Sequence, residues 1–317
     1  MQQLTRPMAT TTAPPPRTDV QSAAAPFFVL GSQRSGTTML RLMINRHSRL
    51  AVPHETGFIT PFYRKLAAYN DCAEASDVTR LLRDVAKHKL VVRGGLIPDQ
   101  DAVLARAPGD YRAFVEAVMG VYCARHGKAR WGDKTPFYTE DVDVLRQIFP
   151  NAKIVHLVRD GRDVVASQKA IEWMSKNVPK LARDWAWKVT LLRKVGACLG
   201  GDYLEVRYED LVRAPEAALR EICSFLGEPY EPEMLDYSES AEGVVPAESL
   251  RWHRNSVRPP DPAKLGEWRT KLSLGEQAIV DELAGPALEL FGYPRAQVSA
   301  SWRIRATKLY YACLARY

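Results

Sequence analysis

Apolar positions along the chain fall into two patterns. Phe27-Phe28-Val29-Leu30 is a short continuous run that stops at Gly31, and Lys153 to Val158 (KIVHLV) and Tyr203 to Val206 are short, largely apolar stretches; all three are predicted as strands, the first two buried. Elsewhere apolar residues recur at helical spacing. Leu40, Met43 and Ile44 predict a helix over 37–45, and further helices are predicted near 61–69, 77–89, 110–125, 138–149, 161–173, 214–226 and 275–291. Leu181, Trp185, Val189 and Leu192 mark another. Short strands separated by helices imply an α/β domain, a parallel sheet with helices on both faces. The stretch from 240 to 262 breaks the pattern. It carries Gly243, Pro246, Pro259, Pro260 and Pro262 and reads as a long loop, functional or mobile.

Composition narrows the class. The 317 residues are 46% apolar and 26% charged, which is globular. A net charge of +7 is too mild to argue for nucleic acid and suits a protein that handles an anionic small molecule. Cys72, Cys123, Cys198, Cys223 and Cys313 are odd in number and widely spaced, which predicts no zinc site, no disulfide scaffold and a reducing, cytoplasmic compartment. No uncharged apolar stretch approaches 18 residues, so no membrane span is expected. Residues 1–25 are rich in Pro, Thr and Ala and read as a disordered lead-in. The organisation expected is therefore that segment, one domain over 26–293, and a basic, aromatic segment over 294–317.

The strongest motif is Gly31-Ser32-Gln33-Arg34-Ser35-Gly36-Thr37-Thr38, between the first strand and the first helix. A helix N-terminus entered through a glycine-rich turn is an anion site, and the frame makes the sheet P-loop-type. Thr37 stands where nucleotide triphosphatases carry the lysine that serves the β- and γ-phosphates. Arg34 is the only cation in the loop. Such a loop suits a terminal sulfate, which carries less charge than a γ-phosphate and can do without Mg²⁺.

Gln33-Arg34-Ser35-Gly36-Thr37-Thr38-Met39-Leu40 resembles the 5′-phosphosulfate loop of sulfotransferases that use 3′-phosphoadenosine 5′-phosphosulfate (PAPS). Ile154-Val155-His156-Leu157-Val158-Arg159-Asp160-Gly161-Arg162-Asp163-Val164-Val165-Ala166-Ser167 is similar to their 3′-phosphate site. The resemblance covers about Phe27 to Leu272. It implies PAPS as co-substrate and adenosine 3′,5′-bisphosphate as product. Arg34, Ser35, Gly36, Thr37 and Thr38 would hold the phosphosulfate, Arg159 and Ser167 the 3′-phosphate, and Tyr208 the nucleotide. Asp160 fits as cap of the helix beginning near Gly161. Arg159 also has Asp160 and Asp163 within reach as ion-pair partners.

Glu55 lies 21 residues after Arg34 and, with Thr56, resembles the catalytic glutamate of the tyrosylprotein branch. The cytosolic small-molecule branch usually has lysine at the Arg34 position and a histidine base well downstream. The chain thus reads as a soluble, bacterial-like member nearest the tyrosylprotein pattern. Transfer to a hydroxyl needs a general base. Glu55 is the candidate, His54 its neighbour and alternative, and Arg49 or Lys134 a possible structural partner of Glu55. Lys134, in a tight polar turn between helices (Trp131 to Pro136), would by resemblance assist the sulfuryl group as charge moves to the leaving phosphate. Arg251 to Arg258 reads as a lid, with Ser256 donating to the bridging region. Two departures are visible. Ile171 occupies the place of a second family arginine, which Lys169 would have to replace. Glu267 precedes Trp268 where the family has lysine, leaving Lys264, Arg269 or Lys271.

A P-loop kinase or NTPase explains only the first motif. A non-enzymatic nucleotide- or membrane-binding protein leaves Glu55 and Lys134 idle. The acceptor, with a hydroxyl on a lipid, glycan, phenol or peptide, has no legible code. The segment 294–317 holds five basic residues, no acidic one, and interspersed aromatics. It reads either as a final packed helix or as an element lying on an anionic membrane.

Overall fold

The computed structural model describes residues 25–107, 109–240, 252, 256–296 and 302–314. Most of the lead-in and of the 240–262 loop thus lies outside the described residues. Five parallel strands form one sheet: β1 (Phe27–Leu30), β2 (Leu50–Ala51), β3 (Arg130–Asp133), β4 (Lys153–Val158) and β5 (Tyr203–Arg207), in the order β2-β3-β1-β4-β5.

β1 explains why its four residues are all apolar. Side chains alternate across a strand, and both faces of a parallel sheet are covered by helices. Phe28 and Leu30 face a core built with the helices between 59 and 148, whereas Phe27 and Val29 face Thr37–Asn45 and Pro215–Leu226. A third cluster joins Gly161–Lys169, Val178–Leu199 and Leu274–Leu290 around Trp185. Gly161 is what lets the first two of these helices touch, since a Cβ there would lie 2.6 Å from the Trp185 ring. Trp185 Nε1 in turn donates to the Arg159 carbonyl at 3.1 Å, fixing the corner after β4.

The three predicted strands are present, and β2 and β3 are additional. The turn expected at Trp131 is instead the end of β3. Arg-Trp-Gly-Asp has neither an apolar run nor alternation, so only its neighbours make it a strand. Several helices differ in extent: 61–69 is a helix over Ile59–Tyr63 with a 3₁₀ segment over Leu66–Cys72, 77–89 is split into Ala75–Ala86 and Lys89–Arg93, 138–149 is a 3₁₀ segment over Pro136–Asp141 before a helix over Val142–Ile148, and the helix after β4 stops at Lys169.

Candidate active site

Each strand delivers one segment to the same end of the sheet. The glycine-rich loop follows β1, Glu55 follows β2, Lys134 follows β3, Arg159 follows β4 and Tyr208 follows β5. This is the carboxyl edge of a parallel sheet, where chain order reverses and ligands bind. A cavity of about 590 Å³ opens there.

The loop is built to meet an anion. Gly36 caps Thr37–Asn45 at φ 94°, and no side chain caps the helix, so its first N–H groups remain for a ligand. The Ser32 and Ser35 hydroxyls are buried without a hydrogen-bond partner. Arg34, at φ 73°, is a non-glycine residue in the left-handed region, a conformation that needs support from its surroundings. Its Nε donates to Ser167 Oγ at 3.2 Å, and Arg159 Nη1 donates to its carbonyl at 3.3 Å. Burial, then the Arg159 charge, lowers the Arg34 pKa. Two guanidinium groups crowded together with orphaned hydroxyls form a cradle for negative charge.

Asp160 caps Gly161–Lys169 as expected, accepting from Arg162 N at 2.9 Å. Arg159 pairs with Asp163 (3.7 Å), and its guanidinium lies 4.5 Å from the Tyr208 ring centre. Its Nε has no partner. Asp163 does a second job that the sequence did not disclose. Its carboxylate accepts from Gly266 N (2.8 Å) and Trp268 N (2.9 Å), pinning the later loop beside the cavity.

Glu55 lines the cavity, and Lys134 Nζ donates to its Oε1 at 2.7 Å. Arg49 is engaged elsewhere, on Glu228 (2.9 Å). Lys134 is not a solvated turn residue: it is 1% exposed and reaches the cavity only through Glu55. Burial lowers its pKa, opposed by the Glu55 charge. Beneath the pair lie Asp133, pushed up to about 6 by burial, and Arg41, lowered by burial to about 10.

Of the predicted residues, Arg34, Gly36, Thr37 and Thr38 line the cavity with Glu55, Arg159, Ser167, Tyr208 and Ser256, whereas Ser35 and Lys134 stand behind it. His54 lines it as well. Lys169 does not replace the missing arginine, because its Nζ is on Glu276 at 2.6 Å. Of the three candidate cations near Trp268, Lys264 and Lys271 line the cavity, while Arg269 stacks on Trp268, 4.5 Å from its ring centre. The remaining lid residues Arg251, His253, Arg254 and Asn255 lie outside the described residues. Trp173 and Phe137, which sequence reasoning missed, complete the wall with Met174 and Trp252. Lone aromatics beyond a helix end carry no periodic signal.

Comparisons with known proteins agree with this arrangement. A profile described as the sulfotransferase family matches residues 26–232. The chain is 27% identical over 281 residues to Protein-tyrosine sulfotransferase 1 of Danio rerio, covering 84% of this chain and 71% of that protein. It is 26% identical over 288 residues to nodulation protein NoeE of Sinorhizobium fredii, covering 82% and 64%. The sulfotransferase domain of the Synechococcus PCC 7002 olefin synthase superposes with a TM-score of 0.59 at 26% identity, over 84% of this chain and 94% of that one. Because the profile runs from β1 through β5 and takes in both anion-facing segments, the chain belongs to the sulfotransferase family.

Proposed function

We propose that the protein transfers a sulfuryl group from PAPS to an acceptor hydroxyl and releases adenosine 3′,5′-bisphosphate. The observation that carries this reading is the Arg34–Ser167 hydrogen bond. It joins the loop after β1 to the helix after β4 beside one cavity, which supports two cation-bearing anion subsites there. A nucleotide charged at both its 5′ and 3′ positions uses both, and a 5′-triphosphate leaves the second idle.

The free donors fit such a ligand. Ser32, Ser35 and the first turn of Thr37–Asn45 would hold the 5′ end, with Arg34, Thr37 and Thr38. Arg159 and Ser167 would hold the 3′-phosphate against Tyr208. When bound, PAPS supplies the sulfuryl group: the sulfur–oxygen bond to its phosphate breaks as one to the acceptor oxygen forms. Glu55 accepts the proton that the acceptor hydroxyl loses, and Lys134 holds the Glu55 carboxylate in place. Ser256 and Lys264, at the cavity wall, are assigned to the charge that accumulates on the leaving phosphate.

The acceptor is a hydroxyl-bearing molecule, taken from the side of Trp173, Met174 and Phe137. Relatives named for protein tyrosine and for carbohydrate support a hydroxyl acceptor of either kind. The four described cysteines are free, which supports a cytoplasmic setting.

Calorimetry tests the donor. Adenosine 3′,5′-bisphosphate should bind with and without Mg²⁺, and ATP should bind weakly in both. Tight, Mg²⁺-dependent ATP binding with no response to the bisphosphate would move the protein to the kinase or NTPase class. Incubation with labelled PAPS and host lipid, glycan and peptide extracts then identifies the acceptor.

A further inference from the structure

The apolar residues near the C-terminus do not form a single helical stripe in the sequence, and the structure gives the reason. The helix Trp302–Leu314 has two apolar faces. Ile304 and Tyr311 are buried, and Thr307 lies against Gly275, so positions i, i+3 and i+7 pack on Leu274–Leu290. Tyr311 also donates to Glu276 Oε1 at 2.9 Å. The opposite face carries Trp302, Ala306, Leu309 and Tyr310, spaced i, i+4, i+7 and i+8. Its large side chains are outward: Trp302 is 73% exposed, Leu309 66% and Tyr310 59%. Arg305, also exposed, lies beside this face. A helix that packs one face normally turns polar residues outward. Here the outer face is aromatic and aliphatic, in a segment whose charges are all positive.

We infer that the outer face of Trp302–Leu314 is a docking surface for an anionic membrane, with Trp302, Leu309 and Tyr310 entering the headgroup boundary and Arg305 beside them meeting the lipid phosphates. Charge selects this occupant. Residues 294–317 carry five basic and no acidic side chains. A second copy meeting the same face would bring like charges together, whereas an anionic leaflet neutralises them. Tryptophan and tyrosine are the residues that favour the membrane–water boundary. Among the described residues no helix is long and apolar enough to cross a membrane, so contact through this face is peripheral. The position is also suitable. Lys271 lines the cavity, Leu274 three residues on is 54% exposed, and Gly275 packs under Thr307. The helix that carries the docking face therefore packs, through its other face, on the element that follows the cavity-lining Lys271.

The test uses the full chain and vesicles of phosphatidylcholine with 30% phosphatidylglycerol, against pure phosphatidylcholine, at roughly 50 mM and 500 mM salt. The protein should sediment with the anionic vesicles at low salt and be released at high salt. Leu309→Ser/Tyr310→Ser should weaken partitioning by tenfold or more while leaving the melting temperature and binding of adenosine 3′,5′-bisphosphate unchanged, because the packed residues Ile304, Thr307 and Tyr311 are kept. Arg305→Gln should weaken it roughly fivefold, the equivalent of about 1 kcal/mol for one basic residue near a surface. Failure of the intact protein to sediment with anionic vesicles at low salt would overturn the inference, as would equal sedimentation of the double variant. Concentration-dependent dimerisation that the double variant abolishes, without vesicle binding, would reassign the face to a second copy.

Discussion

Arg34 Nε lies 3.2 Å from Ser167 Oγ, across 133 residues of sequence. The bond ties the loop after β1 to the helix after β4, so the two proposed anion subsites would act as one structural unit. A ligand spanning both gains from each, and loss at one should be visible only with ligands that occupy it.

Arg159→Ala should accordingly weaken adenosine 3′,5′-bisphosphate by roughly 1.5–3 kcal/mol, the scale of a hydrogen bond to a charged group. Adenosine 5′-phosphate, lacking the 3′-phosphate, should bind the variant nearly as well as the parent. Calorimetry with both ligands measures the contrast. Equal losses would mean that Arg159 serves the fold, through Asp163 and Tyr208, and not the phosphate.

Glu55→Gln preserves shape and removes the proposed base. Turnover should fall by roughly 10²–10⁴, the span of general-base catalysis, with donor affinity nearly unchanged. Lys134→Met should reduce turnover in the same direction by releasing the Glu55 carboxylate. A mild Glu55→Gln beside a crippled His54→Ala would transfer the role of base to His54.

Gly36→Ala probes the loop. The residue sits at φ 94°, and a Cβ there would fall 2.4 Å from the Tyr208 ring. Backbone strain of this kind costs roughly 1–2 kcal/mol, and Tyr208 would have to leave the position proposed for contact with the nucleotide. Thermal melting and bisphosphate titration should both register the change. A variant equal to the parent in both would show that the loop is not held as described.

His156 sets an acid limit on stability. Its ring is wholly buried, with Nδ1 2.6 Å from the Tyr203 hydroxyl, and burial, aided by the Arg193 charge, lowers its pKa to about 3. In the unfolded chain imidazole protonates near pH 6.5. The depressed value therefore supplies stability that is present above about pH 6.5 and is lost as the pH falls toward 3. Burial raises the Asp133 carboxyl instead, to about 6, so its contribution has the opposite sign and falls as the pH rises from about 4 to 6. Urea unfolding of His156→Gln and parent isolates the first effect. The deficit of the variant should be larger at pH 7 than at pH 4.5, by about 3 kcal/mol. A deficit independent of pH would mean that His156 is not held neutral.

What the sequence disclosed depended on how local the cause was. β1 and β4 are legible because strands covered on both faces must be apolar throughout, and the loop after β1 because anion binding at a helix start needs small residues in a fixed frame. Asp160 was legible as a cap for the same local reason. β3 was not, since Trp131-Gly132-Asp133 is strand only through its neighbours β1 and β2. The enclosure of Lys134 was hidden for that reason, although its pairing with Glu55 was among the options the sequence offered. The second task of Asp163 was equally hidden, because its partners Gly266 and Trp268 lie about a hundred residues away.

The central place of β1 has a consequence for how the protein is made. Its neighbours in the sheet are β3 and β4, and both follow it by roughly a hundred residues or more. At a ribosomal pace of about 5–20 residues per second, Phe27-Phe28-Val29-Leu30 waits for roughly 5–25 seconds before β4 can pair with it. Over that interval the nascent chain carries an unpaired apolar strand, the kind of edge that recruits other chains. The glycine-rich loop after β1 cannot settle until the strand beneath it does. Translation slowed between residues 31 and 158 should therefore lower the yield of soluble protein more than the same delay placed after β5.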